Sequence, residues 1–275
     1  MNKNMKNIKL IILDIDKTIT NKENEITEYT KKVLQQAVKK GMYVILCSGR
    51  PNEYVVAKSK ELEITPMVIS SNGTLVYDYQ QQKNIYIDSI ERKEIERILN
   101  YATEFQINCK LNAITTRYHN KLVPIEERND SKSLEELKNK PEEIVQIFAY
   151  HREYESINKF IEKIINTKKY NIKNSSSNLV KKPKKDDDFF WVDIIKNNNS
   201  KGKAISKLRE YLNIKKEETI CFGNHINDFN MFQYCGITCA VGNAMDELKK
   251  QADYITLPSA EDGVARFIEE HILND

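Results

Sequence analysis

The short apolar stretch Ile8-Lys9-Leu10-Ile11-Ile12-Leu13 runs directly into Asp14-Ile15-Asp16-Lys17-Thr18. It is too short for an amphipathic helix and too continuous for a half-exposed strand, so it predicts a strand buried on both faces of a parallel sheet. The two carboxylates then fall where that strand leaves the sheet. Open α/β sheets place their ligands and chemistry at the carboxyl ends of strands. Two aspartates two residues apart, followed by a hydroxyl, suit a nucleophile with an acid/base partner beside it.

The same pattern recurs along the chain. Tyr43-Val44-Ile45-Leu46-Cys47 ends in Ser48-Gly49-Arg50, and Met67-Val68-Ile69 ends in Ser70-Ser71-Asn72-Gly73. Lys201-Gly202-Lys203 opens an amphipathic helix. Thr219-Ile220-Cys221-Phe222 is a further strand, ending in Gly223-Asn224-His225-Ile226-Asn227-Asp228. Helices are expected over about 28–40, 52–62, 201–212, 227–234, 245–251 and 263–271. Strands alternating with helices predict an α/β fold built on a doubly wound parallel sheet with right-handed crossovers.

Glycine marks where this core is interrupted. All eight glycines (Gly41, Gly49, Gly73, Gly202, Gly223, Gly236, Gly242 and Gly263) leave the stretch between Gly73 and Gly202 empty. Loops that bring backbone close to a ligand concentrate glycine, so the glycine-free middle reads as a separate module. It is expected to be an inserted α+β domain over 82–193, splitting the core into 1–81 and 194–275. Within it we expect helices over 91–105 and 153–165. Strands are expected near 107–111, 113–118, 144–150, 170–173, 178–181 and 189–194. The run Lys181-Lys182-Pro183-Lys184-Lys185-Asp186-Asp187-Asp188 reads as a solvated loop.

Composition narrows the function classes. A net charge of +3, from 43 basic and 40 acidic residues in 275, gives no electrostatic reason to expect a nucleic-acid or membrane partner. No stretch approaches the roughly 18 apolar residues of a membrane span, and the N-terminus leads straight into the first strand without a signal-peptide pattern. The five cysteines (Cys47, Cys109, Cys221, Cys235 and Cys239) have neither metal-site nor disulfide spacing and read as buried thiols. A cytoplasmic location is the expectation.

Taken in order, these motifs resemble the haloacid dehalogenase (HAD) superfamily, specifically its Cof-like subfamily with a C2-type cap over the HAD core. The resemblance rests on Asp14 to Thr18, Ser48, Lys201 and Gly223 to Asp228, with Val241-Gly242-Asn243-Ala244 and Glu261-Asp262-Gly263-Val264-Ala265 also similar. It implies a phosphatase working through an aspartyl-phosphate. Asp14 would attack phosphorus, and Asp16 would protonate the leaving oxygen and then activate water. Thr18 would brace the loop; Ser48, Asn72, Lys201 and Asn227 would help hold the phosphate. Mg²⁺ would be bound by the Asp14 side chain, the Asp16 carbonyl and Asn224, with Asp228 supporting its waters; octahedral oxygen ligation suits that ion.

Two positions depart from the family pattern. Lys17 stands where a glycine is usual. Asn224 stands where the pattern Gly-Asp-x-x-Asn-Asp has its first aspartate, which costs the metal site one negative charge. The implied activity is Mg²⁺-dependent hydrolysis of a small phosphorylated metabolite, with a sugar phosphate the expected substrate. Two alternatives are carried beside it: a phosphate-ligand-binding protein whose turnover Asn224 impairs, and a phosphotransferase or mutase that passes the phosphoryl group to a sugar hydroxyl.

Overall fold

The computed structural model describes residues 5–173 and 189–274. The expected strand over 178–181 and the whole of the charged run 181–188 fall outside the described residues. Two compact units divide the chain: Met1–Arg50, Tyr54–Tyr86 and Ser200–Asp275 form the first, Pro51–Glu53 and Ile87–Asn199 the second.

The first unit is organised by one sheet. Its elements begin with β1 (Leu10–Leu13), α1 (Glu28–Lys39), β2 (Tyr43–Cys47), α2 (Asn52–Leu62), β3 (Met67–Ser70), β4 (Leu75–Asp78) and β5 (Lys83–Ile87). All four residues of β1 are buried, as a strand covered on both faces must be. Helix α1 begins at Thr27, whose side chain accepts from the Thr30 amide, and it buries Val33, Leu34 and Ala37, positions three or four apart on one helical face.

In the second unit, α3 (Arg92–Glu104), β6 (Asn108–Asn112), β7 (Arg117–His119), β8 (Lys132–Ser133), α4 (Leu134–Asn139), β9 (Gln146–His151), α5 (Tyr154–Ile165), β10 (Tyr170–Lys173) and β11 (Phe190–Lys196) follow. They form a six-stranded sheet in the order β10-β11-β9-β6-β7-β8. Every pairing is antiparallel except β7 with β8. Its core combines Cys109 and Leu111 of β6 and Ile147 and Ala149 of β9 with Ile157, Phe160, Ile161 and Ile164 of α5. Period two on the strands and period 3.6 on the helix thus point at the same interior.

The chain returns to the first unit through α6 (Lys201–Leu212), β12 (Thr219–Gly223), α7 (Phe229–Tyr234), β13 (Ile237–Ala240), α8 (Asp246–Lys249), β14 (Tyr254–Ile255) and α9 (Gly263–Ile268). The completed eight-stranded sheet has the order β14-β13-β12-β1-β2-β3-β4-β5. From β14 to β3 every neighbour is parallel, as expected of an α/β fold.

Two details refine the expected α/β architecture. The sheet is not parallel throughout, because β4 pairs antiparallel with β3. Ser71, Asn72 and Gly73 all have positive φ, +51°, +58° and +88°, and turn the chain back so tightly that only an antiparallel neighbour can follow. The division between the units also differs from 82–193. Strand β5 belongs to the first sheet, so the chain leaves that unit after Tyr86. Strand β11 stays paired with β10 as far as Lys196, so it returns only at Ser200.

Candidate active site

Register brings the motifs together. In the sheet Leu13 lies opposite Phe222 on one side and Leu46 on the other. Cys47 in turn lies opposite Ile69. Strands β12, β1, β2 and β3 therefore end level, and Asn224, Asp14, Ser48 and Ser71 emerge along one edge. The Asp14 amide completes the ladder by donating to the Phe222 carbonyl at 3.1 Å.

Asp14 and Asp228 flank the Lys201 ammonium. The Lys201 Nζ donates to Asp14 Oδ1 at 2.6 Å and to Asp228 Oδ1 at 2.7 Å, and all three side chains are buried. Thr18 donates its hydroxyl proton to the other Asp14 oxygen at 2.9 Å. Asp228 Oδ2 accepts from the amides of Asn224 and His225, both at 3.0 Å. Gly223 makes that turn possible: a Cβ there would come within 2.7 Å of the Asp228 Cβ. Gly73 does the same for Lys201, since a Cβ would lie 2.3 Å from the carbonyl of Ser200, the residue that caps α6.

One ammonium cannot neutralise two buried carboxylates. Burial first, and then the charge of Asp228, outweigh Lys201 and push the Asp14 carboxyl up from 3.8 to about 7. Burial works against the charge on Lys201, but Asp14 and Asp228 together hold its ammonium above the ordinary lysine range. The cluster is therefore short of positive charge, the condition in which a buried site takes up a cation.

Asp16 is placed differently. Its carboxylate faces Arg50, whose Nη2 and Nε donate to Asp16 Oδ1 and Oδ2 at 2.9 and 3.1 Å. Its main-chain carbonyl accepts from the Asn224 side-chain amide at 3.1 Å. Lys17 sits at φ +59°, in the left-handed region that glycine enters most easily, and its carbonyl is held by the Asn243 side chain at 2.9 Å. Ser48 is buried; its Oγ accepts from the Arg50 amide, and its carbonyl accepts from the Asn72 amide at 3.1 Å. Asn72 packs so closely on Gly49 that a Cβ there would meet its Oδ1 at 2.8 Å. Asn227 lies half-buried in the same turn as Asp228.

Asp14, Asp16, Thr18, Lys201, Asn224 and Asp228 thus form one hydrogen-bonded constellation, with Ser48 and Asn72 on the adjoining strand ends. Arg50 is the functional candidate that the motif reading passed over. Its signal was an arginine directly after Ser48-Gly49 at a strand end, but its partner lies 34 positions away in sequence.

Among the described residues no three His, Cys, Asp or Glu side chains gather as a metal site. Asn224 is neutral, and the Asp16 carboxylate is turned to Arg50. The available donors (an Asp14 oxygen, the Asp16 carbonyl and the Asn224 amide oxygen) are nonetheless all hard oxygens of the kind Mg²⁺ takes. They fit the ion once the Asn224 amide turns its oxygen toward the Asp16 carbonyl, and the unbalanced carboxylate charge favours it.

No helix among the described residues is long and apolar enough to cross a membrane. Likenesses to known proteins agree with the geometry. The 5-amino-6-(5-phospho-D-ribitylamino)uracil phosphatase YitU of Bacillus subtilis is 24% identical over 270 residues, covering 95% of this chain and 97% of that protein. The phosphatase YcsE of the same organism and the same described activity is 28% identical over 271 residues, covering 97% and 96%. A haloacid dehalogenase-like hydrolase from Bacteroides thetaiotaomicron superposes with a TM-score of 0.81 at 24% identity, covering 95% of this chain and 98% of that one. The family model described as haloacid dehalogenase-like hydrolase matches residues 11–268, which takes in every strand end described above but the first residue of β1, and the chain belongs to that family.

Proposed function

We propose that this phosphatase depends on Mg²⁺ and hydrolyses small phosphorylated metabolites, sugar and sugar-alcohol phosphates above all, through an aspartyl-phosphate on Asp14. The observation that carries the reading is the buried Asp14–Lys201–Asp228 cluster at the carboxyl edge of the sheet. Two relatives described as acting on a phosphorylated ribityl chain support the substrate class.

In this scheme an Asp14 carboxylate oxygen forms a bond to phosphorus while the bond from phosphorus to the leaving oxygen breaks. Protonated Asp16 gives its proton to that oxygen, and the alcohol departs. Asp16, now a carboxylate, takes a proton from water as the water oxygen attacks phosphorus. The Asp14–phosphorus bond breaks, inorganic phosphate leaves, and Asp16 is protonated again. Lys201 holds Asp14 in line and offers a fixed positive charge as the phosphoryl oxygens gain charge. Thr18 fixes the second Asp14 oxygen. Ser48, Asn72 and Asn227 are the proposed contacts to the phosphoryl group. Asp14, Asp16 through its carbonyl, and Asn224 would hold Mg²⁺, with Asp228 behind them; when bound, the ion screens the repulsion between carboxylate and phosphate.

Asn224 favours a second reading, a ligand-binding protein with impaired turnover, because its amide already satisfies the Asp16 carbonyl. Mg²⁺-dependent phosphate release from p-nitrophenyl phosphate and a panel of sugar phosphates separates the two. Turnover by the chain as it stands supports the phosphatase; binding without release, with turnover restored by Asn224→Asp, supports the second reading. A cytoplasmic location is part of the proposal, supported by five cysteines that are all free and buried.

A further inference from the structure

The Arg50–Asp16 fork is not needed to hold the fold together. Both side chains are well exposed, 52% and 38%, and an ion pair exposed to water adds little to stability. Yet the geometry is unusually constrained for a surface pair. The guanidinium makes two bonds to the two carboxylate oxygens, and its Cζ lies 5.3 Å from the centre of the Tyr54 ring. The Arg50 main chain is tied at both ends, its amide to Ser48 Oγ and its carbonyl to the Ser71 amide at 3.2 and 2.9 Å. Cation–π stacking and a planar bidentate fork both restrict rotation. Asp16, by contrast, stands on a loop and would otherwise sample several staggered rotamers.

We propose that Arg50, backed by Tyr54, is a positioning residue that fixes the Asp16 carboxyl for both of its proton transfers. This rests on the aspartyl-phosphate scheme above, in which Asp16 is the acid/base. Positioning of this kind has a signature that neither a phosphate contact nor a structural role shares. Protonation of the leaving oxygen matters most when the departing alcohol is a poor leaving group. Losing Arg50 must therefore hurt substrates in proportion to the basicity of their leaving oxygen.

The experiment compares kcat/KM for p-nitrophenyl phosphate, whose phenolate is stabilised by its nitro group, and phenyl phosphate, whose phenolate is much more basic. Because kcat/KM reports formation of the aspartyl-phosphate, the shared second step does not blur the comparison. In Arg50→Gln we expect phenyl phosphate to lose about 10–100-fold and p-nitrophenyl phosphate no more than about 3-fold, a loss of the size that misplacing a catalytic group brings. Arg50→Lys, which keeps the charge but not the fork, should recover only part of the loss. Tyr54→Leu should move the ratio in the same direction by less. Equal losses on the two substrates would overturn the proposal and make Arg50 a binding or structural residue. Asp14→Asn run alongside should be silent on both; turnover surviving there would reject the aspartyl-phosphate scheme itself, whatever Arg50 does.

Discussion

The Asn224 side-chain amide donates to the main-chain carbonyl of Asp16 at 3.1 Å, so a donor stands where the family pattern places a metal-binding carboxylate. To bind a cation the amide must turn over and give up this hydrogen bond, worth roughly 0.5–1.5 kcal/mol net. The site also lacks the charge that a carboxylate would bring. Asn224→Asp should therefore tighten Mg²⁺ binding about 10–100-fold or more, judged from what lesser changes around metal sites cost. Isothermal titration with Mg²⁺ alone measures this without reference to turnover. Equal affinities in the two proteins would mean that the amide oxygen serves as well as a carboxylate.

Asp14 is both the proposed nucleophile and the uncomfortable member of a buried cluster. Asp14→Asn should abolish turnover, by roughly 10⁴-fold or more if it behaves like nucleophiles removed elsewhere. It should also leave folding stability unchanged or raised in the absence of Mg²⁺, because Lys201 then faces a single carboxylate, Asp228. Phosphate release and a urea melt in the presence of a chelator test the two halves. A large loss of stability would mean that the Asp14–Lys201 bond holds the fold together rather than straining it.

The fold class and most of the site were legible because the chemistry sits on strongly patterned segments. Four apolar runs each end in a polar motif, and parallel register then places those ends side by side. What was missed lies where the pattern is weak. Helix α4 has apolar residues only at Leu134 and Leu137, too few for periodicity, although its Ser133–Glu136 capping box was there to be read. Strand β4 follows Ser-Asn-Gly-Thr, which reads as a loop, and its pairing depends on three consecutive positive φ values, which Asn72 and Gly73 allow but Ser71 does not signal. Arg50 was invisible as a partner of Asp16 because spacing cannot report a contact made by the ends of two side chains from different loops.

Gly223 makes a prediction at the end of β12. A methyl group there would come within about 3 Å of the Asp228 carboxylate, with Oδ2 at 2.9 Å. It would push Asp228 off the Asn224 and His225 amides and off Lys201. Gly223→Ala should cost about 1–3 kcal/mol, the usual range for overpacking a filled site, and should lower kcat/KM by more than the lost stability explains. A thermal melt paired with p-nitrophenyl phosphate kinetics checks it. Normal activity would show that Asp228 can shift without consequence.

The second unit has its own electrostatic anchor, and its pH dependence can be worked out in advance. Glu94 is buried on α3; its Oε1 takes Lys169 at 2.6 Å, and its Oε2 takes Arg97 at 3.0 Å and the Tyr170 hydroxyl at 3.1 Å. The Lys169 hydrogen bond, followed by Tyr170 and Arg97, holds the carboxyl below its ordinary 4.5 despite the cost of burial. A carboxyl depressed in the folded state contributes stability that is fully present above its unfolded value and is lost as pH falls through the folded one. Denaturation midpoints should accordingly drop as pH is lowered from about 4.5, and Glu94→Gln should flatten that acid limb. At neutral pH the same substitution should cost on the order of 1–2 kcal/mol, as hydrogen bonds to a charged group do, and no more, because Lys169 and Arg97 are exposed enough to return to water. Urea titrations of both proteins between pH 3 and 7, read by the fluorescence of Trp191, the chain's single tryptophan, which lies in the same unit, decide the matter: parallel acid limbs would remove Glu94 as the anchor.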